Sequence, residues 1–202
     1  MKIVVIGASG TIGSALSETL EASGGHEVVR ASRRGPVVVD LARPESIDEM
    51  FDAVGTVDAV VAVAGSGQIA RIDASSDEDY FRGLEGKMLG QIHLTRRAAH
   101  RIADGGSLTL TNGISTFSEP GLSFAALVNG GLGHFVPTAA AEMPRGIRLN
   151  SVSPGWVAET LEKMGRDGAQ GTPVAEVVRA YVELIEGTGR GLVVEPGVPA
   201  TS

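Results

Sequence analysis

A glycine-rich loop directly after the first apolar segment is the strongest constraint on the fold of this chain. The run Lys2–Ile6 is typical of a buried strand, and apolar residues with helical spacing follow between residues 12 and 20. Glycines let a backbone turn tightly, and the helix start offers free N–H groups and a positive dipole end. This strand, loop and helix are typical of a pyrophosphate-binding turn of a dinucleotide site, the alternative being an ordinary glycine-rich turn. The candidate binding residues are Gly7, Ser9, Gly10, Thr11, Ile12 and Gly13.

Strand-like and helix-like segments alternate along the rest of the chain. The predicted strands are Lys2–Ile6, His26–Ala31, Pro36–Val39, Val57–Ala64, Ser107–Thr111, Ile147–Val152 and Leu192–Glu195. The predicted later helices are Pro44–Phe51, Asp77–Ala103 with Ser76 as N-cap, Ser123–Met143 and Pro173–Glu186. Such alternation predicts an α/β fold: a single doubly wound Rossmann-like domain over residues 1–202, with a mostly parallel seven-stranded sheet of order 3-2-1-4-5-6-7.

Composition excludes several classes of protein. The net charge of -7 and the lack of long basic runs argue against nucleic acid as a partner. The absence of cysteine excludes disulfides and thiolate metal sites, and no metal site is expected at His93 and His100 because no carboxylate cluster supports them. No apolar run approaches the roughly 20 residues of a membrane span, and the start is too short for a signal peptide. A cytoplasmic protein without a membrane partner is therefore expected.

Several segments in order resemble the short-chain dehydrogenase/reductase family. Residues 7–13 are similar to its glycine motif, Asp40-Leu41 to its adenine-holding pair, and Ala64-Gly65 to the end of its Asn-Asn-Ala-Gly motif. Residues 145–155 closely match the strand and Pro-Gly turn beside the nicotinamide. The resemblance implies an NAD(P) cofactor, a small-molecule substrate and a homodimer or homotetramer. It also implies cofactor contacts from Asp40, Leu41, Ala64, Gly65, Pro154, Gly155, Trp156 and Val157.

The catalytic positions depart from that family. Alignment on residues 139–142 places Ala125 at the family's tyrosine and Asn129 at its lysine, and no Tyr-x-x-x-Lys exists anywhere in the chain. The serine position falls near Asn112, with Ser115 just beyond, and Lys87 stands where many members have an asparagine. Asn112, Ser115 and Lys87 are therefore the candidate catalytic residues.

Arginines after the second predicted strand bear on the choice of cofactor. An acidic residue there would favour NAD, whereas Arg33, with Arg34 sharing the role, is expected to accommodate the 2′-phosphate of NADP. The alternative is a solvated surface arginine, so NAD stays possible. Trp156 is expected either to cover the cofactor or to pack within the fold.

Two functions fit these observations. The first is an NADP(H)-dependent oxidoreductase acting on a small carbonyl or alcohol with an altered proton-transfer group. The second is a non-enzymatic NADP(H)-binding sensor or partner protein. The short stretch at residues 157–172 is expected to form a mobile substrate lid, and Leu122, Leu132 and Phe135 are expected to face a second copy of the chain.

Overall fold

A seven-stranded parallel sheet forms the centre of the structure, a computed structural model that describes residues 1–63, 69–116 and 119–197. The strand order is β3-β2-β1-β4-β5-β6-β7, which confirms the predicted topology. Every neighbouring pair is parallel. The strands are β1 (Lys2–Ile6), β2 (Glu27–Ser32), β3 (Val37–Val38), β4 (Val57–Ala62), β5 (Ile102–Thr111), β6 (Arg148–Val152) and β7 (Val193–Val194).

Helices cover both faces of this sheet. They are α1 (Thr11–Ala22), α2 (Pro44–Val54), α3 (Asp77–Tyr80), α4 (Gly90–Arg101), α5 (Ser123–Glu142), α6 (Ala158–Lys163) and α7 (Val174–Glu186). One apolar cluster packs the sheet against α2, α4 and α5, and another packs it against α1 and α7. The fully buried neighbours Val60 and Val61 of β4 belong to different clusters. Burial on both faces explains why β4 is continuously apolar rather than alternating.

The prediction of one helix over Asp77–Ala103 is wrong. The segment forms the short α3, a π-helical turn at Leu84–Leu89 and then α4, and the chain is already extended in β5 at Ile102. Gly83 interrupts the helix with φ of 101°, a left-handed conformation that glycine adopts without steric cost. The predicted cap is present, because the Ser76 Oγ accepts a hydrogen bond from the Asp79 backbone N–H at 3.1 Å.

Two of the three side chains expected to face a second copy lie inside the chain. Leu132 of α5 is fully buried and Leu122, just before α5, is nearly so. Leu132 packs with Phe124 and Val128 in a small cluster beside the π-turn. The expectation that Leu122 and Leu132 form an exposed face is therefore wrong, because the face of α5 that carries Leu132 packs against its own chain.

Within the described ranges, no helix is both long and apolar enough to cross a bilayer.

Candidate functional site

The glycine-rich loop makes the turn that its sequence predicts. Loop backbone N–H groups of Gly7 and Ala8 donate to the carbonyl oxygen of Ala31, which ties the loop to the end of β2. A Cβ at Gly13 would overlap the carbonyl group of Gly7, so α1 can begin this close to the loop only with glycine there. The result is a helix N-terminus that faces the carboxyl ends of β1 and β4, where the strand order reverses. Open α/β sheets bind ligands at such a point.

A cleft of about 860 Å³ opens over this loop. Its walls combine the loop, the segment after β2, the segment after β3 and the π-turn. Eleven of the sequence-predicted site residues line it together: Gly7, Ser9, Gly10, Thr11, Ile12, Gly13, Arg33, Arg34, Asp40, Leu41 and Lys87. The remaining lining residues are Ile6, Ser32, Val39, Ala42, Val63, Gly83, Glu85, Gly86 and Thr160. Its size and its glycine cradle fit a dinucleotide.

Two exposed arginines stand at one wall of the cleft. Arg33 and Arg34 follow β2 directly, and the Ser32 Oγ accepts a hydrogen bond from the Arg34 backbone N–H at 3.4 Å. Within the described part of the chain, neither guanidinium forms an ion pair. Their charge is therefore available to an anionic ligand group. On the neighbouring wall, Asp40 is held by local bonds, because its Oδ1 accepts from the Ala42 backbone N–H at 3.1 Å.

The π-turn brings Lys87 to the wall of the cleft beside the segment after β3. Lys87 is half-buried, and this burial lowers the pKa of its ammonium to about 8. Gln91, one turn later and fully buried, fixes the turn against the sheet. Its Nε2 donates to the carbonyl oxygens of Lys87 and Thr111 at 2.7 and 2.9 Å, and its Oε1 accepts from the Thr111 N–H at 2.8 Å. Gln91 thereby sets the position of the Lys87 backbone relative to the end of β5.

A buried amide pair lies just beyond the end of β5. Asn112 and Asn129 are 4% and 5% exposed, and each uses its amide nitrogen on a backbone carbonyl. Asn112 Nδ2 donates to the Asn129 oxygen at 3.3 Å, and Asn129 Nδ2 donates to the Ile114 oxygen at 2.9 Å. Both Oδ1 atoms lack a partner within the described residues. Each amide thus uses one of its two N–H groups on the backbone and keeps its Oδ1 buried, so the pair holds the segment after β5 against α5 and presents no acceptor to the cleft.

Both tyrosines are engaged elsewhere. Tyr181 is fully buried, its hydroxyl lies 2.6 Å from the Thr111 Oγ1, and burial raises its pKa far above the ordinary value. The Tyr80 hydroxyl lies 3.0 Å from the Ser123 Oγ. Ser123 is two residues before Ala125, so the two residues point to nearly opposite sides of α5. Neither phenol stands in for the tyrosine missing at Ala125.

The other predicted residues lie beside the cleft without lining it. The Pro154 carbonyl accepts from the Ile114 N–H at 3.2 Å, and Gly155 also abuts Ile114, so the Pro-Gly turn lies next to the amide pair. Ser115 is exposed beside Gly130 of α5. Trp156 directly precedes the lid segment (residues 157–172), and Val157 is its first residue. The Arg166 guanidinium lies 5.0 Å from the centre of the Trp156 ring. Ala64 and Gly65 lie outside the described residues.

Some residues of the site are missing from the sequence prediction. Ser32 and Val63 follow strand residues directly, and their places at strand ends could have indicated them. Thr160 and Lys163 come from α6, far along the chain, and no local pattern marks them. Within the described ranges, no cluster of three or more potential ligands is arranged to hold a metal ion.

Comparison with known sequences agrees with this architecture. The profile of the family described as Enoyl-(Acyl carrier protein) reductase matches residues 6–181. The chain is 28% identical over 158 residues to an uncharacterized oxidoreductase of Methylorubrum extorquens, covering 77% of this chain and 62% of that protein. It is 26% identical over 196 residues to the 3-oxoacyl-[acyl-carrier-protein] reductase FabG of Escherichia coli, covering 86% and 80% of the two chains. The chain thus spans less than two thirds of the length of the first relative.

Solved structures show the same fold. The protein lin1944 of Listeria innocua superposes with a TM-score of 0.90 at 38% identity, over 96% of this chain and 98% of that one. A small-chain dehydrogenase in complex with NADPH superposes with a TM-score of 0.84 at 22% identity, over 96% and 95% of the two chains. With a family match over residues 6–181 and the glycine loop and Asp40-Leu41 together in one cleft, this chain belongs to the short-chain dehydrogenase/reductase family of oxidoreductases.

Proposed function

We propose that this chain transfers hydride between NADP(H) and a small carbonyl or alcohol substrate, with Lys87 as the proton-transfer residue. The observation that carries the proposal is the placement of Lys87, with a pKa of about 8, in the same cleft as the glycine loop and Arg33. A general acid or base works best when its pKa lies near the working pH. Lys87 meets that condition, whereas an ordinary lysine, with a pKa near 10.4, does not.

The residues divide the work of binding and chemistry. The glycine loop and the start of α1 hold the diphosphate, and Arg33 with Arg34 holds the 2′-phosphate of the cofactor. When bound, NADPH supplies the hydride. Lys87 gives its proton to the developing alkoxide during reduction and takes a proton from the alcohol during oxidation. Asn112 holds the segment after β5 against α5, and Ser115 supplies a hydroxyl beside the cleft.

The site predicts slow turnover of ordinary ketones. Ala125 and Asn129 remove the phenol and the ammonium that the family uses, and loss of general acid catalysis typically costs about 10²–10⁴ in rate. Lys87 restores part of that loss only for substrates that reach its wall of the cleft. Tight cofactor binding with modest, substrate-selective turnover is therefore expected.

A panel assay tests the proposal. The rates of NADPH consumption with aldehydes and ketones, and of NADPH formation with the corresponding alcohols, are measured between pH 6 and 9.5. The affinity for NADPH is measured by calorimetry. Lys87→Met should lower kcat about 10²-fold or more and change the NADPH Kd much less, and Ser115→Ala should show the same direction with a smaller loss. Reduction should decline above pH 8, as Lys87 loses its proton. Brisk turnover that survives both substitutions would overturn the assignment of Lys87.

The second candidate function is a non-enzymatic NADP(H) sensor. It is favoured by Ala125 and Asn129 and by the engagement of both amide nitrogens of the buried pair with backbone carbonyls. Tight NADPH binding without turnover on any substrate of the panel would support the sensor over the enzyme.

A further proposal concerns assembly. We propose a homodimer or homotetramer that packs α4 and α5 against a second copy. A groove of about 640 Å³ between these helices, lined by Arg96, Phe135 and Met143 among others, and the 62% exposure of Leu127 support that face. A monomer mass from light scattering at micromolar concentration would contradict it.

A further inference from the structure

A lysine from the lid segment reaches the glycine-rich loop. Lys163 is the last residue of α6, and its Nζ donates a hydrogen bond to the Thr11 Oγ1 at 2.9 Å. Thr11 is the first residue of α1 and lines the cleft. Lys163 is exposed, so ordering its long side chain has an entropic cost, which a single bond to a neutral hydroxyl offsets poorly. Its position therefore favours an anionic partner at this spot.

The charge distribution of the cleft indicates which anion that is. The loop over residues 7–13 contains no lysine or arginine, so its own donors are backbone N–H groups and the hydroxyls of Ser9 and Thr11. Arg33 and Arg34 lie after β2, on the side where an adenosine ribose would bind. Lys163 instead reaches the first turn of α1, where a diphosphate lies in a fold of this kind.

Hydrogen bonds between the two ends of the lid segment fix the position of α6, which carries Lys163. At its base the Ala158 N–H donates to the Thr172 oxygen at 2.9 Å, and the Thr172 N–H donates to the Trp156 oxygen at 2.8 Å. The Glu159 Oε2 accepts from the Val174 N–H at 2.8 Å, which joins α6 to the start of α7. With its base fixed in this way, α6 carries Thr160 into the cleft wall and Lys163 to the loop.

We propose that Lys163 is a binding residue for the diphosphate of the dinucleotide and that this contact ties the lid segment to the bound cofactor. The inference rests on the proposed function, since it needs a dinucleotide in the cleft. In the free protein the ammonium bonds to Thr11. In the complex it turns to the diphosphate oxygens, where a charge-assisted bond replaces a neutral one.

Calorimetry on the whole chain with three ligands tests this inference. Lys163→Ala should weaken binding of NADPH and of ADP-ribose about three- to tenfold, a modest loss because the contact is exposed. Binding of adenosine 2′-monophosphate, which has no diphosphate, should change less than twofold. Lys163→Arg should restore most of the affinity. Arg179→Ala, which removes an equal charge from the exposed face of α7, is the matched control and should leave all three affinities unchanged.

Hydrogen exchange of the lid provides a second readout. NADPH should slow amide exchange over residues 158–166 in the unmodified protein, and this protection should be much smaller in Lys163→Ala. If the unmodified protein binds NADPH and the variant matches it in both Kd and protection, Lys163 has no such role and the proposed function stands. An equal loss for adenosine 2′-monophosphate would also overturn the role at the diphosphate. If the unmodified protein binds neither NADPH nor ADP-ribose, both proposals fail.

Discussion

Replacing Lys87 with methionine should stabilise the free protein at neutral pH. Burial lowers the pKa of Lys87 from 10.5 to about 8, so the folded state holds its ammonium less favourably than the unfolded chain does. At roughly 1.4 kcal/mol per pKa unit, the difference corresponds to at most about 3.5 kcal/mol. Lys87 is only half-buried and borders the open cleft, so solvent screening reduces the expected gain to about 1–2 kcal/mol. Methionine keeps the length and apolar packing of the stem.

The pH dependence separates this electrostatic effect from simple packing. Between pH 8 and 10.5 the unfolded chain binds the proton that the folded chain has released, so the stability of the unmodified protein rises with pH in this window. The advantage of Lys87→Met should therefore shrink by about half between pH 7 and 9.5. Urea unfolding of both proteins at these two pH values measures this change, with Arg179→Met as the control for the loss of an exposed cation. The reasoning would be refuted if Lys87→Met did not raise the free energy of unfolding at pH 7, or if it raised it by the same amount at both pH values.

Three other substitutions probe separate parts of the molecule. Arg33→Ala should weaken NADPH binding about ten- to a hundredfold and leave NADH binding nearly unchanged, because a charge-assisted contact is typically worth about 1.5–3 kcal/mol; equal calorimetric affinities of the unmodified protein for the two cofactors would rule this out. Gly13→Ala should abolish dinucleotide binding and lower the Tm, because its methyl group would overlap the Gly7 carbonyl; a variant that keeps both properties would show that the loop can move aside. Tyr181→Phe should lower the free energy of unfolding by about 0.5–1.5 kcal/mol without altering NADPH affinity, because it removes only the buried bond to Thr111; a large loss of affinity would place Tyr181 in the functional site.

The topology of the sheet could be predicted because the local sequence patterns and the packing of the folded chain favour the same strands and helices. Continuous apolar runs such as Val57–Ala62 fit strands covered on both faces, and the glycine loop fixes where the first helix begins. The long helix predicted after residue 76 shows where this agreement stops. Helical periodicity persists through the segment, but the left-handed glycine at position 83 and the bonds of Gln91 to β5 impose a break and a wider turn.

The cofactor side of the site was more visible in the sequence than the catalytic side. Residues such as Gly7 and Arg33 directly follow strand ends, so their place in the cleft follows from the order of elements. The state of Lys87 depends on burial by segments distant in sequence, and the orientation of Asn112 depends on the backbone of Asn129 in α5. Lys163 meets Thr11 across 152 positions of sequence. Contacts between segments so far apart produce no periodic pattern in the sequence, so only the folded structure shows them.

The π-helical turn at Leu84–Leu89 makes chain length itself a determinant of the site. A π-turn holds one residue more than an α-turn, so deleting a single residue between Gly83 and Gln91 would let the segment relax into an ordinary α-helix. With Gln91 still anchored to β5, the tighter α-helical winding would take up the missing residue, and the side chains on either side of the deletion would largely keep their directions. Deleting Lys87 itself would therefore remove the amine from the cleft while leaving the sheet and the flanking helices in place. The π-turn is thus a place where one residue can be gained or lost without changing the residues proposed to bind the dinucleotide.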